Sequence, residues 1–324
     1  MDWLLNASSP AEKILVMVFA IALFSAVMAA VLFLSDRLPK WLPAIGFLLP
    51  TVLMLTFGLL WPAIKTIYDS FLDAASRESV GFDNYTEVLT EPNFQVILVN
   101  TLVWTISVPL FSTVFGLLYA VLVDRTRFEK FAKTLIFLPM AISMVGASII
   151  WKFMYEYRPA NVGQTGLINQ FLVWLGLEPY QFLLNPPWNT GFLIVIMIWI
   201  QTGFAMTILS ASIKAVPDEI NEAASIDGAT GLNTFFFVTV PSIRPALIVV
   251  ITTIAMATLK VFDIVRTATG GNFQTSVIAN EFYSQKFSQN NNGISAALAV
   301  ILFVLVIPIV VYNVRQMRIS ETER

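Results

Sequence analysis

Residues 92–123 run for 32 positions without a single Asp, Glu, Lys or Arg. Strongly apolar charge-free runs also occupy 14–34, 41–64, 134–151, 179–213, 245–259 and 287–314. A bilayer core of about 30 Å is crossed by about 20 apolar helical residues. In lipid every backbone N–H and C=O must find its partner within the protein, which leaves helices or closed barrels. Barrel strands would show runs of about 10 residues with polar–apolar alternation; these runs are longer and do not alternate. The pattern predicts an all-α integral membrane protein with about seven spans, at 14–34, 44–66, 96–122, 134–154, 191–213, 243–265 and 293–314. Pro50, Pro109 and Pro139 fall inside spans and are expected to kink them. Only 12% of the residues are charged and 57% are hydrophobic, against about 25% charged in a soluble domain.

What the chain lacks narrows its chemistry. It has no Cys, hence no thiol ligand or disulfide, and no His, the usual metal ligand and proton relay near neutrality. A net charge of −2 offers no basic patch for nucleic acid. The first run reads as a span rather than a cleaved leader, because it is preceded by Asp2 and Glu12 against Lys13 and its apolar stretch is long.

Orientation follows from Lys and Arg near span ends. One side receives the loops 35–43, 123–133 and 214–244 and the C-terminus, with Arg37, Lys40, Arg125, Arg127, Lys130, Lys133, Lys214, Arg244, Arg315, Arg318 and Arg324, 11 of the 19 basic residues. That side is expected to be cytoplasmic, with the N-terminus outside. The outward loops, 67–95, 155–190 and 266–292, are longer and of mixed composition.

The cytoplasmic loop at 215–241 stands out. Between Val216 and Pro241 lie Asp218, Glu219, Glu222 and Asp227, and no Lys or Arg. Pro217 suits a first helical position, the acids suit a helix N-terminus, and Gly228 suits a stop. Ile220, Ala223 and Ala224 share a face by spacing. A surface helix lying on anionic lipid would carry Lys and Arg instead. The acidic, alanine-rich helix is therefore expected to dock into another protein that supplies the cations.

The stretch "EAASIDGATGLNTFFFVTVPSIRP" at 222–245 resembles the EAA loop of binding-protein-dependent ABC importer permeases. Glu222, Ala223, Ala224, Asp227, Gly228, Phe235, Pro241 and Pro245 carry the resemblance; "FFFV" departs from it where relatives often have Arg after the aromatic. It continues through "GFDNYTEVL", "NTLVWT", "LPMAIS", "WKFMYEY", "GLINQFL", "KVFDIV" and "TGGNFQT", from about Leu42 to Arg318, as in sugar permeases. "DRLPKWL", "YRPANVGQTGL" and "LLNPPWNTGF" look most like permeases for α-glucosides. The resemblance implies a six-helix type I importer core at 42–324 preceded by an extra N-terminal helix within 1–41, as in the maltose-type larger subunit. It also implies a bacterial or archaeal cytoplasmic membrane and a second permease subunit. A cytoplasmic ATPase dimer would receive the loop through Glu222, Ala223, Ala224, Asp227, Gly228 and Pro241, and an extracytoplasmic sugar-binding protein would deliver the cargo. The chain has no G-x-x-x-x-G-K-[ST] phosphate loop, so ATP and Mg would bind the partner.

A sugar path needs hydrogen-bonding groups and aromatic faces. The expected lining is Met140, Ser143, Met144, Gln201, Phe204 and Thr258. Lys260, Asp263 and Arg266, at i, i+3 spacing, are expected near the outer mouth, either as a gate or cargo contact, with Asp263 on the substrate pathway, or as a structural ion pair. Gly203, Thr207 and Ala211 form a small-residue line for close helix packing. A cation-coupled secondary transporter is the alternative, but it would show two similar halves and midplane ionisable groups. A membrane enzyme would need a polar catalytic cluster, and none is visible.

Overall fold

The computed structural model describes residues 9–35, 41–124, 126–159 and 161–322, with side chains left aside at 31–32, 34–35, 41–47 and 317–322. Arg37, Lys40, Arg125 and Arg324, used above for orientation, lie outside the described residues. Among those described no strand forms; a single isolated bridge joins Leu72 to Ser79.

Two compact units divide between Thr66 and Ile67. The first holds helix α1 (Pro10–Ser35), helix α2 (Trp41–Leu55), a π turn at Thr56–Leu60 and most of α3 (Trp61–Asp69). No residue in the most apolar window of Pro10–Ala30, nor in that of Leu48–Asp69, is buried. An all-round apolar helix with nothing on it is a lipid or subunit surface.

In the second unit α4 (Asp83–Thr90) leads into α5 (Pro92–Val123), α6 (Glu129–Phe137), α7 (Met144–Met154), α8 (Leu167–Trp174) and α9 (Trp188–Lys214). Then come α10 (Asp218–Ile226), the helical segment α11 (Gly231–Ser242), α12 (Arg244–Leu259), α13 (Asp263–Ala268), α14 (Ile278–Phe287) and α15 (Asn292–Thr322). The core forms where α9 packs along α5, α12 along α5, and α15 along α12 and α14. Trp104, Leu193, Ile196, Met197, Met206 and Leu209 are fully buried there. Gly116 permits the close approach of α5 and α9: a Cβ at that position would stand 2.5 Å from Ala205 Cβ and 2.7 Å from the Met206 nitrogen.

Five helices are long and apolar enough to cross a membrane, and seven if each of two bent pairs counts as one span. A bend corrects one expected span and an early end another. The fourth, expected as one rod at 134–154, turns by 104° between the helical stretch ending at Ala141 and α7. Pro139 stops the α-helix in a 3₁₀ turn, and Ile142 and Ser143 are both extended (ψ 138° and 147°). Pro50 and Pro109, in contrast, sit inside continuous helices. The sixth, expected at 243–265, starts as expected at Arg244, where a 69° bend sets it off from α11, but its helix ends at Leu259. Because α12 ends at Leu259, Lys260 stands outside the helix α13 that carries Asp263 and Arg266 at i, i+3 spacing, and among the described residues no ion pair joins the three. Arg266 instead lies over the Tyr283 ring, 4.9 Å from its centroid.

Candidate functional site

The acidic loop folds as expected, with one shift. Pro217 has ψ 139° and stands just outside the helix, so Asp218 is the first helical residue. The first turn keeps Asp218 and Glu219 beside the positive helix end. At the other end Gly228 has φ +80°, the left-handed region that costs an L-residue a steric clash. Its amide donates to Ser225 O at 3.1 Å, and that of Ala229 donates to Ala224 O at 2.9 Å. These are the two bonds of a Schellman stop. The Asp-Gly-Ala triplet thus has a local structural reason as well as the one implied by resemblance.

Ala224 is buried, 9% exposed, on a helix that touches the loop's second half, whereas Glu222, Ala223, Asp227 and Gly228 face outward. Ala223 and Ala224 therefore look in different directions rather than forming one small face. Ile226, Leu232, Phe236 and Phe237 are 86%, 73%, 60% and 78% exposed, and Pro241 is exposed at the end of the same loop. Carboxylates and large apolar groups side by side on one solvent-facing element make a surface suited to a cationic groove with apolar walls.

The root of this loop is tied to two other helices. Lys214, the last residue of α9, ion-pairs with Glu129 at the start of α6 and approaches Asp124 at 3.8 Å, just beyond α5. Lys133 contacts Asp124 and meets Glu129 at 2.9 Å. Ser210 donates to the two Asp124 oxygens at 2.8 and 3.0 Å. The Asp124 side chain is only 9% exposed, so its charge depends on these partners. Beside them a cavity of about 520 Å³ is lined by Lys133, Thr134, Phe137, Met206, Thr207 and Ser210 among others. Sequence reasoning read "DRTRFEKFAK" only as an orientation signal and missed this network. The part legible by spacing was the i, i+4 pair of Glu129 and Lys133.

The expected path residues separate on inspection. Gln201 and Phe204 are half-buried on α9, and Phe204 packs on the main core. Met140 is 42% exposed in the 3₁₀ turn. Ser143 caps α7 by accepting from the Gly146 amide at 3.1 Å, and Met144 follows it, half-buried. Thr258 is fully buried, and its hydroxyl donates to Ile254 O at 2.7 Å. Asp263 opens α13, half-buried. Gly203 does serve close packing: its missing Cβ would lie 2.6 Å from Ile136 O, so this face meets the end of α6 within the chain.

Against this geometry the comparisons are specific. Residues 112–317 match the family described as binding-protein-dependent transport system inner membrane component. The chain is 44% identical over 293 residues to the α-glucoside transport system permease protein AglF of Rhizobium meliloti (strain 1021), covering 90% of this chain and 86% of that one. It is 45% identical over 278 residues to the osmoprotective compounds uptake permease protein GgtC of Synechocystis sp. (strain ATCC 27184 / PCC 6803 / Kazusa), covering 86% of this chain and 100% of that one. Among solved structures, a chain of a bacterial ABC transporter involved in the import of the acidic polysaccharide alginate superposes with a TM-score of 0.73 at 25% identity, covering 88% of this chain and 98% of that one. Nothing in these likenesses supports a cation-coupled secondary carrier. The chain belongs to the binding-protein-dependent transport system inner membrane components, the membrane-embedded permeases of ABC importers.

Proposed function

We propose that this permease moves an oligosaccharide or α-glucoside inward across a cytoplasmic membrane, with a second permease, a cytoplasmic ATPase dimer that binds ATP and Mg, and an extracytoplasmic sugar-binding protein. The observation that carries the cargo class is the 44% identity to AglF across 90% of the chain. In this reading the N-terminus is outside and the C-terminus cytoplasmic, with 1–41 an added helix and 42–324 the permease core.

Coupling runs through α10. Glu222 and Asp227 meet cationic residues of the ATPase, Ala223 and Gly228 leave room for close approach, and Pro241 closes the docking segment. Support comes from the outward position of Glu222 and Ala223 and from the well-formed Schellman stop. Movement of α10 then reaches α5 and α6 through Lys214 and its carboxylate partners. ATP-driven closure of the ATPase rocks the permease pair between inward- and outward-facing states.

Glu222→Lys tests the coupling: it places a cation against a cationic groove. Co-purification with the ATPase is expected to fall and hydrolysis to lose its link to uptake; normal uptake by that variant would refute the docking reading. Uptake of labelled α-glucosides by the reconstituted complex tests the cargo, and transport of none of them overturns the assignment.

A further inference from the structure

At the end of α5 opposite the acidic loop lies a second polar site. α5 has 32 residues, which at about 1.5 Å per residue puts about 48 Å between its ends. Here α4, the start of α5, the 269–277 turn, α14 and the start of α15 enclose a cavity of about 510 Å³. Three carboxylates line it, Glu87, Glu91 and Glu281, together with Gln274, Ser276 and Gln285, and no Lys or Arg does. The cation on the same helix, Lys286, is bound to Asn292 Oδ1 at 2.6 Å.

Gln285 carries an unmet acceptor in the cavity wall. It is 5% exposed, and its amide nitrogen donates to Glu281 Oε1 at 2.9 Å. A carboxylate only accepts, so this bond fixes which end of the amide faces Glu281. The remaining carbonyl, Gln285 Oε1, is buried with no hydrogen-bond partner. A buried acceptor left empty costs about 1–3 kcal/mol. The walls are held firmly: Asn100 Nδ2 donates to Gln274 O at 2.7 Å and to Ser276 O at 3.0 Å. Gln274 itself sits at φ +59°.

The cavity therefore offers acceptors and three carboxylates, and its own donors are neutral amide and hydroxyl groups with no cationic side chain among them. Its only aromatic wall is Phe94, itself buried at 7% exposure, so a sugar has no ring face to stack on. Among the described residues no three acids converge at metal-binding distance. A guanidinium or ammonium group, with several donors and one positive charge, satisfies both needs.

We infer that this cavity is the socket for a Lys or Arg side chain of the extracytoplasmic binding protein, which anchors that protein on the permease. The inference rests on the permease reading above, which puts this end of α5 outside. It assigns a docking contact of acidic permease against basic partner.

The test uses the complete transporter in nanodiscs, with ATPase rate measured against binding-protein concentration. Glu87→Gln and Glu281→Gln are expected each to raise the half-saturating concentration about five- to tenfold, as for a charged anchor contact. Basal rate and co-purification with the ATPase stay unchanged, and the difference from wild type shrinks at high salt. Glu281→Arg should be rescued by reversing one basic residue of the binding protein. Glu87 is exposed, so its variant decides the matter if Glu281→Gln disturbs the fold. Unchanged half-saturation in the Glu87→Gln variant overturns the socket, as does stimulation of wild type by free argininamide without binding protein. A wild-type complex with no binding-protein stimulation at all would instead remove the permease reading on which the socket stands.

Discussion

The amide of Ala229 reaches back across Gly228 to the carbonyl of Ala224 at 2.9 Å. That bond exists only because residue 228 adopts φ +80°, where a side chain costs about 1–2 kcal/mol. Open space surrounds the position, so the cost of Gly228→Ala is conformational and not a clash. The variant is expected to loosen the C-terminal end of α10, with faster amide exchange at Gly228 and Ala229, and Gly228→Asn should be milder. ATPase affinity should fall in the same order, which co-purification checks.

The sequence showed this stop, because Gly after an alanine-rich helix carries its own backbone reason. It also showed where the spans fall, seven of them when each bent pair counts as one, since charge-free length is a property of each segment alone. What it hid was direction. The 104° turn after Pro139 requires two extended residues, Ile142 and Ser143, and nothing in "PMAISM" distinguishes a kink from a right-angle break. The separation of Ala223 from Ala224 was hidden for a similar reason: the second half of the loop meets α10 only in three dimensions. Likewise the partners of Asp124 come from positions 133, 210 and 214, too distant in the chain to pair by spacing.

That network gives a second prediction. Lys133→Met leaves the Asp124 carboxylate, 9% exposed, with Ser210 and a Lys214 contact at 3.8 Å. Breaking a buried pair from one side costs about 3–5 kcal/mol. Lys133 is 24% exposed, so solvent screening brings the expectation to about 2–3 kcal/mol. Asp124→Asn combined with Lys133→Met should cost less than the two single changes added. Thermal unfolding of the assembled complex measures all three; strict additivity would dissolve the network.

Helix packing gives a third. Gly116→Ala would push a Cβ to 2.7 Å from the Met206 backbone nitrogen, which cannot turn aside as a side-chain tip can. Overpacking of this kind costs about 1–3 kcal/mol. Gly191, on α9 with nothing within 4 Å of its absent Cβ, is the matched control, and Gly191→Ala should stabilise by about 0.5–1 kcal/mol. Opposite signs in the two unfolding midpoints are expected; the same sign for both would mean that the α5–α9 contact does not set the stability.

The last prediction separates a path residue from a packing one. Gln201 is half-buried on α9, and among the described residues no hydrogen bond engages its amide, which leaves two donors and an acceptor for a sugar hydroxyl. Thr258 has its hydroxyl engaged by Ile254 O at 2.7 Å and is fully buried. Gln201→Leu is therefore expected to lower glucoside uptake about tenfold, the equivalent of a hydrogen bond or two, with assembly intact. Thr258→Val should leave uptake within about twofold, since a bond to its own helix contributes little to a passing ligand. Uptake assays across a panel of sugars, run beside co-purification with the ATPase, compare the two directly. If Gln201→Leu transports like wild type on every sugar, its amide is only a polar break in a packed helix, and the path lies along another face of α9.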